Sequence, residues 1–365
     1  MKTFFLTNPN WEKIAVEELK EQLKVSAISH DSVIEAELKS EQYISALAHL
    51  QLPRRIILSL GKYPHLDDLP LEKLDFPWKE VFSETLTFRV EIENVSSNDN
   101  RMTLAKKVAG QLYKLLEAKL KIEPKIELKK PDFLVVVYFN GKEYFIGLDL
   151  LNLELNARPY RVFTGSVSFK GDYAYYLLKS SGYKKGEKLL VGYSKDGTLA
   201  IEAGMYNSGE LVQNKAIILE KLQKINLFKK LDLKKILDHS REAAKEKLIF
   251  GFDSGITNVQ AAIKNSQLAK VKDLVEISKL HLDDLDVRYP EGSFDRAIFQ
   301  VTNKDEDQLN EIYYQTAYLL RKGGMLLLLG RKNWEVSVHS KFDLIKQEDL
   351  VRGDSVHRMW LLEKK

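Results

Sequence analysis

Helix- and strand-patterned segments alternate through residues 166–365, and this alternation constrains the fold more than any other feature of the sequence. Helix-like DYAYYLLKSSG leads to strand-like EKLLVGY, then helix-like TLAIEAGMY and a long Lys-rich helical linker region. KLIFGFD, ITNVQAAIKNSQLA, LVEISKLHL, FDRAIFQV and QLNEIYYQTAYLL follow, and Lys322-Gly323-Gly324 turns into MLLLLG. A last pair of strands fits within 335–364. Strands separated by helical crossovers pair in parallel, so a doubly wound sheet is predicted, with any ligand at the carboxyl ends of its strands.

Two smaller segments precede it. In 1–80, strand-like FFLT is followed by Asn8-Pro9-Asn10, which can cap the helix WEKIAVEELKEQL. Trp11, Ile14, Ala15, Leu19 and Leu23 recur there at helical spacing. SVIEAELK, EQYISALAHLQ and RIILSLGKY complete a β-α-β-α-β order, which suggests a small α+β domain. Pro64, Pro70 and Pro77 punctuate a connector. In 81–165, TFRVEIEN precedes a basic helix over 101–118, then FLVVVYF and KEYFIGLDL, joined by the hairpin dipeptide Asn140-Gly141. The expected architecture is α/β, in three modules: 1–80, 81–165 and 166–365.

The chain has no cysteine, which excludes disulfides, thiolate zinc sites and cysteine nucleophiles. Its seven His are scattered, so no metal site is expected. No apolar run approaches membrane-spanning length. The N-terminus lacks a small-residue cleavage site and soon turns acidic, so no signal peptide is expected and the cytoplasm is the expected compartment. Net charge is only +4, yet residues 101–130 hold nine Lys/Arg against three Glu. Such a stripe, with Arg101, Lys106 and Lys107 at its start, can neutralise phosphates or form a solvated helix face.

In a sheet of this class a nucleoside-bearing cofactor meets the loop after the first strand and the acid after the second. Gly197-Thr198 opens a helix after LLVGYSKD, Asp253 ends the second strand, and Asp283 or Asp284 follows the third. Tyr173, Tyr175, Tyr176, Tyr193, Tyr313 and Tyr314 read as core before base-stacking groups. Lys229, Lys230, Lys234 and Lys235, interleaved with Leu, read as an amphipathic helix first and an RNA contact second.

FFLTNPNWEKIAVEELK, RVEIENVSSNDNRMTLAKKVAGQLYKLL, KPDFLVVVYFNGKEYFIGLDL and LDDLDVRYPEGSFDRAIF together resemble the THUMP-containing RNA methyltransferases that form N2-methylguanosine in tRNA. The resemblance implies a ferredoxin-like domain, a THUMP domain and a Rossmann-like methyltransferase domain. It implies tRNA as partner and S-adenosylmethionine as cofactor, with Gly197, Thr198, Asp253 and Asp283 at the cofactor. It places Arg158 and Arg161, at the joint after the THUMP domain, beside bound tRNA. Two departures stand out. The family's cofactor loop, Asp-Pro-Phe-Cys-Gly-Ser-Gly-Thr, is replaced by Val191 through Thr198, with Lys195 where the first Gly belongs. The catalytic Asn-Pro-Pro-Tyr falls on Gln300–Asn303, or, after a slip of three residues, on Asn303–Glu306. Either register loses both prolines and the aromatic, leaving Gln300 or Asn303 to meet a base amine.

The implied function is RNA binding by a protein of methyltransferase descent whose methyl-transfer site is degenerate. The alternative is an active, divergent S-adenosylmethionine-dependent RNA guanine-N2 methyltransferase. A third reading is a scaffold that packs against a catalytic partner subunit.

Overall fold

The computed structural model describes residues 1–67, 69–165, 168–238, 246–301, 305–334, 336–352 and 355–365. They form two compact units, Met1–Ala157 with Leu211–His239, and Arg158–Glu210 with Ser240–Lys365.

The first unit is built on one sheet. Its strands are β1 (Lys2–Leu6), β2 (Ala27–His30), β3 (Val33–Glu37), β4 (Arg55–Tyr63), β5 (Thr87–Glu93), β6 (Lys125–Ile126), β7 (Phe133–Phe139) and β8 (Tyr144–Asp149). Their order is β2-β3-β1-β4-β8-β7-β5-β6. The helices are α1 (Glu12–Leu23), α2 (Ser40–His49), the short α3 (Trp78–Val81) and α4 (Asn98–Leu120). The antiparallel β4–β8 pair, with Leu58 opposite Leu148, joins the strands of 1–63 to those of 87–149. An apolar cluster including Phe4, Val33, Ile57, Leu134 and Phe145 spans that joint. The β7–β8 hairpin closes as its dipeptide predicts. Gly141 adopts φ +97°, and Asn140 Oδ1 accepts from the N–H groups of Lys142 and Glu143 at 3.0 and 2.9 Å. Arg55 is buried between Asp149 at 2.7 Å, Glu93 at 2.7 Å and Glu91 at 3.0 Å. Burial pulls its guanidinium down, but the three carboxylates outweigh this and hold it above its ordinary value.

In the second unit, α5 (Gly171–Ser180) leads to β9 (Leu189–Gly192) and α6 (Thr198–Ser208). The chain then leaves this unit. Helices α7 (Lys215–Gln223) and α8 (Leu233–Leu237) lie in residues 211–239 and pack into the first unit. Phe228 is fully buried there and stacks on Tyr43, ring centroids 6.0 Å apart. The chain returns as β10 (Ile249–Asp253), α9 (Ile256–Leu268), β11 (Val275–Lys279), the short α10 (Leu285–Arg288), β12 (Phe294–Gln300) and α11 (Glu306–Leu319). Strands β13 (Leu320–Arg331), β14 (Phe342–Arg352) and β15 (Ser355–Lys364) finish it.

The sheet order is β11-β10-β9-β12-β13-β15-β14. Strands β9 to β13 pair in parallel, and β15 runs antiparallel between β13 and β14. The direction in which strands are added reverses between β9 and β12, the switch point at which such sheets open a crevice. Lys322-Gly323-Gly324 bulges out inside β13, between the pairs Phe294–Leu320 and Arg296–Met325, rather than turning into it. Side chains alternate across the sheet. Leu190, Phe252, Ala297 and Phe299 join Ile312 and Tyr313 of α11 in one core, while Val191 and Ile298 face the other side with Leu177 and Leu199.

Candidate functional site

The crevice at β9 is roofed by the loop 193–197. Tyr193 and Lys195 both adopt φ +53°, and Gly197 adopts φ +81°. Left-handed backbone costs an ordinary L-residue roughly 1–2 kcal/mol, so the loop must be held by its partners. The Ser194 N–H and hydroxyl both donate to the Phe252 carbonyl at 2.9 Å. The Lys195 N–H donates to Asp253 Oδ2 at 3.1 Å. Gly197 is required for a second reason: a Cβ there would lie 2.8 Å from the Ala262 Cβ. The Thr198 N–H and hydroxyl donate to Asp196 Oδ1 at 3.2 and 2.8 Å, so a carboxylate of the chain itself covers the α6 N-terminus.

Asp253 is only 4% exposed. Its Oδ1 accepts from the Gly255 N–H at 2.9 Å and the Asn258 amide at 3.0 Å, and its Oδ2 accepts from Lys195. Both oxygens are therefore engaged within the protein. Asp283 is exposed on the 3-10 turn Leu282–Asp284 that follows β11. Gln300 ends β12, 8% exposed. The structure thus brings Gly197, Thr198, Asp253 and Gln300 to the carboxyl ends of neighbouring strands; Asn303 lies outside the described residues.

The crevice is narrow. Its cavity measures about 20 Å³ and is lined by Phe169, Leu177, Val191, Ser194, Ile298 and Gln300, among others. Pockets for small ligands run to roughly 300–1,000 Å³. Beside it, Tyr193, Phe252 and Phe299 form an aromatic trio with ring centroids 5.8–6.2 Å apart, and Tyr193 and Phe299 also line the cavity. A Cβ on Gly192 would fall 2.2 Å from the Phe299 ring, so that ring covers the end of β9. Tyr193 accepts a hydrogen bond from the Gln308 amide at 2.8 Å, and burial pushes its phenol above the ordinary value. Among the described residues no group of three or more His, Asp or Glu side chains could hold a metal ion. No helix among them is long and apolar enough to cross a membrane.

Residues 64–149 match the THUMP domain model, and residues 158–304 match the model of the RMKL-like methyltransferase domain. The chain thus carries a THUMP domain followed by an RMKL-like methyltransferase domain. Solved structures share the fold of this chain at low identity. TrmN from Thermus thermophilus aligns over 100% of this chain and 99% of its own at 18% identity, TM-score 0.71. A Clostridium difficile protein described as a possible methylase covers 100% and 98% at 17% identity, TM-score 0.80. SMU.472, solved as a complex with SAH, covers 100% and 98% at 16% identity, TM-score 0.72.

The family's methyl donor, S-adenosylmethionine, carries a sulfonium and an ammonium beside a ribose. Three features of this crevice run against it. Asp253, expected as the ribose acceptor, already takes three hydrogen bonds. Val191 offers no side-chain acceptor, and Lys195 adds a cation.

The expected RNA contacts divide. Arg158 is not available to a phosphate, a correction to the reading from its place at the domain joint. Its side chain is 0% exposed and forked onto Glu202, Nε to Oε1 at 2.8 Å and Nη2 to Oε2 at 3.0 Å. The Tyr160 hydroxyl donates to the same carboxylate at 2.6 Å. Arg161 is turned onto the loop ahead of α6, donating to Thr198 Oγ1 at 3.2 Å and lying 3.7 Å from the Asp196 carboxylate. On α4, Arg101 and Lys106 are exposed, while Lys107 pairs with Asp67. Glu202 escaped the sequence reading, although its position was a signal: it is the one charged residue in α6, within a stretch, Thr198–Tyr206, that is buried throughout.

Proposed function

We propose that this protein binds structured RNA, with tRNA as the leading candidate, and does not transfer methyl groups. The THUMP domain and the exposed cations of α4 support RNA binding. One observation carries the loss of transfer: the Asp253 carboxylate is spent on its own chain, where it pins the loop bearing Lys195. Three of its about four acceptor positions are then filled, which leaves about one for a ribose that offers two hydroxyls. The expected result of calorimetry with S-adenosylmethionine is no measurable binding. Tritiated cofactor should leave no label on bulk tRNA. A micromolar dissociation constant, or label on the RNA, overturns the reading.

Gln300 favours a second reading, a divergent S-adenosylmethionine-dependent guanine-N2 methyltransferase. Its amide lines the cavity at the end of β12, where an acceptor for a base amine belongs. Label on tRNA from the native protein, abolished in Gln300→Ala, would establish it.

RNA binding has its own test. In filter-binding assays, Arg101→Glu with Lys106→Glu should weaken tRNA binding at low salt. The dependence of log affinity on log salt should become shallower by about 2, close to one for each phosphate no longer neutralised. Lys107→Glu alone should do less, because Asp67 already engages that lysine. Wild-type affinity in the double variant would remove α4 from the RNA face.

A further inference from the structure

Residues 211–238 carry seven lysines, Lys215, Lys221, Lys224, Lys229, Lys230, Lys234 and Lys235, and they fall into two sets. Lys215 pairs with Asp238, Lys221 donates to the Asp132 carbonyl at 3.0 Å, and Lys224 pairs with Asp132 at 3.1 Å. These three fasten the segment to itself and to the first unit. Lys229, Lys230, Lys234 and Lys235 are exposed, and none has an ion-pair partner among the described residues.

The apolar residues between them explain the orientation. Phe228, Leu233 and Leu237 are 0%, 5% and 1% exposed, and α8 rests on α2. The buried side faces the unit, so the lysines emerge together on the other. The one acid within residues 225–237, Asp232, is engaged in capping α8, its Oδ1 accepting the Lys235 N–H at 3.0 Å. Four like charges within seven residues are thus held on an ordered turn and helix rather than on a tail. One short helix lies between this set and the basic helix. The short α3 touches both the 3-10 turn Asn226–Phe228 and α4, and Lys119 of α4 lies over the Trp78 ring of α3, 5.9 Å from its centroid.

We propose that Lys229, Lys230, Lys234 and Lys235 form a second phosphate-binding face that takes the sugar-phosphate backbone of a structured RNA; this rests on the RNA-binding reading above. The chemistry favours a phosphate backbone over an acidic protein. Ammonium groups act as point charges toward phosphate, whereas a protein partner needs apolar anchors at the centre of its contact. The exposed positions of residues 223–238 are Gln, Asn, Asp and Lys, with no exposed apolar or aromatic side chain. Without such groups the face has nothing to stack on bases, so it should bind independently of sequence.

The test uses the full-length chain and bulk tRNA in filter-binding assays between about 50 and 200 mM salt. Replacing all four lysines by Gln should weaken binding more than tenfold at the low end. It should flatten the log–log salt dependence by about 3–4, near 0.7–0.9 for each phosphate left without its lysine. A charge-matched control, Lys13→Gln, Lys20→Gln, Lys24→Gln and Lys39→Gln, removes four exposed lysines elsewhere in the same unit and should bind as the wild type. If the wild type binds tRNA and the tetralysine variant binds equally well, the proposal falls and the RNA-binding reading stands. An equal loss in the control also overturns it, since bulk charge would then suffice. If the wild type shows no salt-dependent tRNA binding, both fall.

Discussion

Glu202→Gln should destabilise the second unit by about 3–5 kcal/mol, the cost of leaving one member of a buried ion pair without its partner. Glu202 and Arg158 are both 0% exposed at the side chain, and no water can replace the missing charge. Burial disfavours the Arg158 cation, and the Glu202 carboxylate outweighs that and holds it above the ordinary value. Urea unfolding reads the effect through Trp334 and Trp360, both in that unit. The triple variant Arg158→Met, Tyr160→Phe, Glu202→Leu should recover most of the stability. It removes the charges and the Tyr160 hydroxyl together, and apolar replacements of buried pairs are often neutral or better. A wild-type midpoint in Glu202→Gln would mean the pair contributes nothing to stability.

Asp253→Ala should cost about 3 kcal/mol with no ligand present. The Lys195 N–H, the Gly255 N–H and the Asn258 amide lose their shared acceptor, and a buried polar group left unpaired costs about 1–3 kcal/mol. The left-handed turn at Lys195 would then be without the acceptor that holds it. Thermal unfolding of the free protein measures this. A residue whose role is to hold ribose would instead leave the melting temperature nearly unchanged and alter only ligand binding. That outcome would reverse the reading of the crevice.

The parallel sheet was legible because helix- and strand-period patterns alternate so regularly after residue 166 that few topologies remain. The Asn140-Gly141 hairpin was legible because its turn geometry demands those residue types. The crevice was legible as a location but not as a state. Asp253 and Gly197 stand where strand ends predict, yet nothing in their spacing says that Lys195 turns left-handed and brings its N–H onto Asp253. Arg158 shows the same limit. An arginine beside a domain joint reads as a phosphate contact until Glu202, 44 residues onward, is found across from it. In residues 211–239 the apolar spacing marks a buried face, but periodicity cannot name the surface that buries it. Here that surface includes Tyr43, far away in sequence.

No single cut divides this chain into its two units. Cleavage after Ala157 would strip the first unit of residues 211–239, and with them the Phe228 ring that stacks on Tyr43. The second unit would keep a foreign stretch whose apolar positions, Leu222, Phe228 and Leu237, have no seat in it. Neither unit is one uninterrupted stretch of chain. Any recombination that exchanged one would have to carry two breakpoints inside the other, so a single crossover cannot separate the sheet of β1 to β8 from the sheet that surrounds the crevice.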